Sequence, residues 1–166
     1  MKGGIMERII KNRQIIDDPW QFIADDAEMP TGPVIVSLAR WNQDRAALLE
    51  RGGPLGVRWP NTTSVADWVS DLPHWDVVAL EFPQFADGRA YSQARLLRER
   101  YGYSGEIRAV GDVLRDQLLY MARSGFDAFV LRADRSLEDA LAAFGEFSEC
   151  YQPAADQPLP LYRRGR

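Results

Sequence analysis

The chain has 166 residues, 46% hydrophobic, with 20 basic and 24 acidic side chains and a net charge of −4. That is enough chain for one domain with a substantial core, while a single cysteine (Cys150) and a single histidine (His74) exclude an intramolecular disulfide, a CxxC pair and a histidine-rich metal site. The near-neutral balance provides no basic field for nucleic acid. No run of apolar residues is long enough to span a membrane and the first residues lack a signal peptide's apolar centre, so a cytoplasmic protein is expected.

Residues 5–10 and 14–16 are short β-prone runs around Lys11-Asn12-Arg13, which predicts a small hairpin or edge ribbon. Asp17-Asp18-Pro19 breaks the pattern, and Trp20 and Phe22 read as anchors that pin this arm to the rest. From Pro33 a repeating order sets in. Val34-Ile35-Val36 reads as a strand, Ser37 as the N-cap of a helix carrying Leu38, Trp41, Leu48 and Leu49, and Gly52-Gly53 as its stop.

A second strand over 55–59 leads to a helix opened by Ser64 and ended by Pro73. The third strand, 77–82, leads to a helix over about 88–101 with Ala90, Ala94, Leu97 and Tyr101 on one face. The fourth, 106–110, precedes a helix bearing Leu114, Leu118 and Met121; the fifth, 128–131, precedes a helix capped by Ser136 and running to about Cys150. After Tyr151 the prolines at 153, 158 and 160 predict an extended tail.

Five consecutive strand-helix units imply an α/β domain with parallel strands joined by right-handed crossovers. The expected layout is a single domain with an N-terminal β arm (1–32), a strand-helix core (33–150) and the tail (151–166). A complete eight-unit barrel needs about 250 residues, so the expectation is an open five-stranded parallel sheet, with an incomplete barrel as the alternative.

The candidate chemistry gathers after the third strand. Val77-Val78-Ala79-Leu80 is apolar throughout and then turns acidic at Glu81, as a core strand does where its carboxyl end opens onto a crevice. Glu81 is the candidate catalytic acid or base; the competing reading is a carboxylate paired with an arginine. Asp87-Gly88-Arg89, with Tyr91, Ser92 and Arg95, would place a helix N-terminus, guanidinium groups and hydroxyls around an anion, unless Asp87 is itself the cap. Gly111-Asp112 repeats the arrangement after the next strand, with Arg115 in the following turn; Arg108, alternating with Ile107 and Ala109, either lines the crevice or sits exposed, and Arg40 and Arg58 are weaker candidates for the same rim. No GxGxxG, Walker loop, HExxH or nucleophile elbow is present, so no cofactor is expected from a local signature.

The strings Glu81-Phe82-Pro83-Gln84-Phe85-Ala86-Asp87-Gly88-Arg89-Ala90-Tyr91-Ser92-Gln93-Ala94-Arg95 and Arg108-Ala109-Val110-Gly111-Asp112-Val113-Leu114, with Ser124-Gly125-Phe126-Asp127-Ala128-Phe129 and Tyr151-Gln152-Pro153, resemble an uncharacterised bacterial family whose members are labelled oxidoreductases of sulfite reduction. The resemblance runs from about Met6 to Arg164. It implies a place beside assimilatory sulfite reductase in cysteine biosynthesis, and it carries over no catalytic residue. Relatives often have cysteine where this chain has Ser124, so a thiol mechanism at that position would fail here. Two readings follow: an enzyme binding a sulfur oxyanion at the strand ends, with Arg89, Arg95 and Arg115 as the clamp and Glu81 as proton donor, or an adaptor that docks on sulfite reductase or its electron donor.

Overall fold

The computed structural model describes residues 7–84, 87–132 and 134–145. Cys150, the far end of the helix expected to reach it, the tail over 151–166 and the first six residues lie outside the described residues.

The expected purely parallel sheet of five strand-helix units, preceded by a short hairpin, is corrected. The strands form one mixed sheet of eight in the order β2-β1-β8-β7-β6-β5-β4-β3, curled into a half-barrel. Asn12 and Arg13, at φ 51° and 62°, make the two-residue turn between β1 (Arg8–Lys11) and β2 (Gln14–Asp17). This ribbon is part of the barrel wall, because β1 pairs antiparallel with β8 (Ala128–Phe129) through Ile10↔Phe129 and Lys11↔Ala128. Phe22, read from sequence as an anchor, lies in a further strand, β3 (Gln21–Ile23), parallel to β4 (Val34–Ser37). The parallel series continues through β5 (Leu55–Trp59), β6 (Val77–Phe82) and β7 (Glu106–Gly111) to β8.

A three-residue connection forces the curl. Eight strands at about 4.8 Å spacing would separate the outer two by about 34 Å in a flat sheet. The edge strands β2 and β3 are joined by Asp18, Pro19 and Trp20 alone, and four Cα steps reach at most about 14 Å. The sheet therefore rolls until this strap can cross its inner face.

Because the strands from β3 to β8 follow one another in spatial order, right-handed crossovers place the intervening helices on a single, outer face. Alternate residues obey this division. Val34, Val36, Val57, Val78, Leu80, Phe82, Ile107 and Phe129 belong to the large outer core, and Ile35, Val77, Ala79 and Val110 form a smaller inner cluster under Trp20.

The helices are more irregular than their spacing predicts. In α1 (Leu38–Arg51), Ser37 caps by accepting from the Arg40 N–H at 3.0 Å, and Gly52 ends the helix at φ 72°. The segment Val65–His74 is a 3-10 helix, and Pro73, which has no N–H to donate, stands in its last turn. The third crossover is α2 (Arg89–Arg95) followed by a π-helical turn over Leu96–Arg100. A 3-10 turn at Arg115–Gln117 leads into α3 (Leu118–Ser124), and Ser136 caps α4 (Leu137–Ala142) by accepting from the Asp139 N–H. No helix of the described residues is long and apolar enough to cross a membrane.

Four tryptophans scattered in sequence meet under the outer face. Trp75 stands edge-on to Trp41 and Trp59 at centroid distances of 5.4 and 5.8 Å and tilts against Trp68 at 6.3 Å. Edge-to-face pairs of this kind add about 0.5–1.5 kcal/mol beyond the area they bury.

At the opposite end from the strand carboxyl termini, Arg98 donates to the carbonyls of Tyr103, Gly105 and Gly125 at 2.7–3.0 Å. The buried Tyr103 hydroxyl donates to the Trp75 carbonyl at 2.9 Å. Burial pushes the Tyr103 phenol above its ordinary 10.0; Arg98 opposes that shift, and Asp76, Asp127 and Glu106 add to it. The folded state thus keeps a proton that the unfolded chain releases above pH 10, so this stabilisation is complete below that pH and is lost as pH rises beyond it. Tyr103→Phe is expected to lose about 1 kcal/mol at neutral pH, one net hydrogen bond, and to decline less steeply under alkali. Urea titrations at about pH 8 and about pH 11 check this, and equal alkaline losses in both proteins would contradict it.

Candidate functional site at the strand carboxyl ends

Inner-facing positions near the ends of β5 and β6 carry Arg58 and Glu81, and Arg58 Nε donates to Glu81 Oε1 at 2.6 Å. Both side chains are about one-third exposed (33% and 31%), so the pair stands at the surface of the opening. The Arg58 guanidinium also lies 5.2 Å from the ring centre of Phe22 on edge strand β3, a cation–π contact.

Two crevices share this pair as a common wall. One, of about 350 Å³, is polar and lies among Arg58, Glu81, Pro83, Gly111, Asp112 and Arg132. Here Arg132 donates to Asp112 Oδ1 at 3.1 Å, a second arginine-carboxylate pair facing the first. The other, of about 370 Å³, is bounded by Phe22, Leu38, Pro60 and Trp68 on its apolar side and by Ser37 and Asn42 near the start of α1.

The turn after β7 explains why Asp112 reaches this opening. Gly111 sits at φ 95°, and the Asp112 N–H donates to the Phe82 carbonyl at 2.7 Å, folding the chain over the end of β6. A β-carbon at Gly111 would stand 2.5 Å from that same carbonyl oxygen, so only glycine fits. Backbone conformation and acidic side chain are thereby coupled: the close approach at Gly111 positions the carboxylate of Asp112.

Glu81, Gly111 and Asp112 are therefore brought together, and other candidates from the sequence point elsewhere. Asp87 accepts from the Arg89 N–H at 3.1 Å and from Asn61 Nδ2 at 2.6 Å, just ahead of Gly88, which is the N-cap of α2. Arg89 and Ser92 are exposed on the outer side of α2, and Arg95 pairs with Glu99 at 3.7 Å. Tyr91 packs its ring against Phe82 and Tyr120 at 5.2 and 4.8 Å; burial, with Tyr120 adding, pushes its phenol up to about 12. Arg115 pairs with Asp139 of α4 at 3.2 Å.

Arg108, weighed as a rim residue, is buried inside the barrel. It donates to Glu106 at 2.7 Å and to both oxygens of Asp18 at 2.7 and 3.1 Å, while Lys11 lies 2.9 Å from Glu106. Arg40 holds the Ala24 carbonyl and Asp44. Arg132 is the residue that sequence reasoning passed over. Its signal was positional: it follows β8 as Asp112 follows β7.

The family model for a bacterial protein of unknown function, DUF934, matches residues 56–162, more than half of the chain. The chain belongs to this family. The DUF934 match takes in Arg58, Glu81, Gly111, Asp112 and Arg132, so all four charged groups of the polar crevice lie within it, whereas Phe22, Ser37 and Leu38 precede it. No curated protein matches the chain.

Proposed function

We propose that this protein binds a small sulfur oxyanion such as sulfite at the strand carboxyl ends and serves assimilatory sulfite reduction in cysteine biosynthesis. The pathway rests on the family resemblance of the Glu81-to-Arg95 and Arg108-to-Leu114 strings; the site rests on geometry. One observation carries the site: Arg58 and Arg132 face one opening, each held by a carboxylate at 2.6 and 3.1 Å.

A partly exposed ion pair of this kind is worth only about 0–1 kcal/mol, so an incoming oxyanion can take the carboxylate's place on the guanidinium. Arginine suits that role because its planar fork of donors matches two oxygens at once. Glu81, released from Arg58, would then stand beside the bound anion as a proton donor or acceptor. In this reading the clamp expected of Arg89, Arg95 and Arg115 passes to Arg58 and Arg132, which share the crevice with Glu81.

Calorimetric titration with sulfite and with sulfate tests the reading. Binding is expected with the parent protein, weakened about tenfold or more by Arg58→Gln or Arg132→Gln, since a charge-assisted hydrogen bond contributes about 1.5–3 kcal/mol. Arg89→Gln should bind like the parent. No heat at millimolar ligand, or equal binding by the Arg58 and Arg132 variants, would refute the site.

A further inference from the structure

Among the described residues the polar crevice holds two guanidinium groups and two carboxylates, a balanced set of charges. A bare oxyanion that displaces Glu81 from Arg58 satisfies the arginine but leaves the carboxylate without its cation, forgoing the small stabilisation that the partly exposed pair supplied. A ligand that brings its own cation avoids the loss. Its oxyanion takes the guanidinium and its ammonium takes the carboxylate, so every charge at the opening keeps a partner.

The neighbouring crevice adds a second requirement. Arg58 and Glu81 also form one wall of the 370 Å³ cavity bounded by Phe22, Leu38, Pro60 and Trp68, within the range of about 300–1,000 Å³ usual for small-molecule sites. Phe22 is 53% exposed and its ring lies over Arg58, so apolar surface stands open beside the charged pair. Charged head and apolar body thus have adjacent places.

Resting on the reading of this crevice as an oxyanion site, we infer that its ligand is a zwitterion with an apolar or aromatic side chain, of the amino-acid class. The head group bridges Arg58 and Glu81, and the side chain enters the cavity beneath Phe22 and Trp68. Specificity comes from the simultaneous demand for both charges and for the apolar body.

Calorimetry with four probes separates the possibilities: L-phenylalanine, 3-phenylpropionate lacking the amine, 2-phenylethylamine lacking the carboxylate, and sulfite. Phenylalanine is expected to bind at least about tenfold more tightly than either single-charge analogue, one tenfold step being the scale of one charge-assisted bond. Phe22→Ala, at an exposed position, should weaken phenylalanine about five- to tenfold and sulfite by less, as expected for loss of a ring contact. Three aromatic probes binding alike, or none binding, would overturn the inference. Sulfite binding without phenylalanine binding would overturn it and keep the oxyanion reading; phenylalanine binding without sulfite binding would support it and remove sulfite as the ligand.

Discussion

Arg108→Ala is expected to lower the free energy of unfolding by about 3–5 kcal/mol, the range for removing one member of a buried ion pair. The Arg108 side chain is only 3% exposed and ties three elements together: β7 through Glu106, the strap through Asp18, and, through the Glu106–Lys11 contact, β1. Burial disfavours its charge, yet the hydrogen bonds and nearness of Asp18 and Glu106 more than offset this, and its pKa moves up from the ordinary value. Truncating it would leave two carboxylates inside the barrel with Lys11 as the remaining cation nearby.

Because the cost comes from uncompensated charge rather than from lost volume, removing Asp18 as well should recover part of it. Arg108→Met combined with Asp18→Asn is expected to be more stable than Arg108→Met alone, a positive coupling in a double-mutant cycle. Urea unfolding of the four proteins measures it. A loss below about 1 kcal/mol for Arg108→Ala would show that the quartet does not hold the strap to the barrel.

Gly111→Ala is expected to cost about 2–4 kcal/mol and to abolish whatever binding the crevice supports. Holding a non-glycine residue at positive φ costs on the order of 1–3 kcal/mol, and the added methyl meets the Phe82 carbonyl carbon and oxygen at 3.1 and 2.5 Å. That contact is backbone against backbone, with no flexible side chain to swing aside. The turn must therefore lift, breaking the bond from the Asp112 N–H to Phe82 and carrying Asp112 away from Glu81. Thermal unfolding and ligand titration of the variant check both halves. Parent-like stability would mean that the turn is looser than its contacts indicate.

Sequence carried single elements better than their assembly. Val34, Leu55, Val77 and Glu106 begin strands where apolar runs follow turn residues, and Ser37 and Ser136 cap helices through the hydroxyl bonds their type predicts. The strap was hidden because Asp17-Asp18-Pro19 has the composition of a break. Nothing local reveals that Asp18 reaches Arg108, ninety positions away. The curl of the sheet, and with it the membership of β1, β2 and β3, was lost at that point.

The site followed the same logic. Glu81, Gly111 and Asp112 were legible because each sits where its strand runs out. Arg89, Ser92 and Arg95 were grouped by their density along the chain: a spacing of three along α2 places them together on the outward side, while Ala90, Gln93 and Ala94 face the core. Arg132 stands directly after the strand expected over 128–131, but it is set beside the polar Asp134-Arg135-Ser136, which reads as the approach to the next helix cap.

Pairing of Ile10 with Phe129 has a consequence for how the molecule is made. Strand β1 is made well before its partner β8, so Ile10, fully enclosed in the finished protein, lacks that cover until β8 follows. Such long-range pairing slows folding and leaves sticky strand surface available to neighbouring chains. Nascent fragments ending before Ala128 are the species that chaperones would have to shelter.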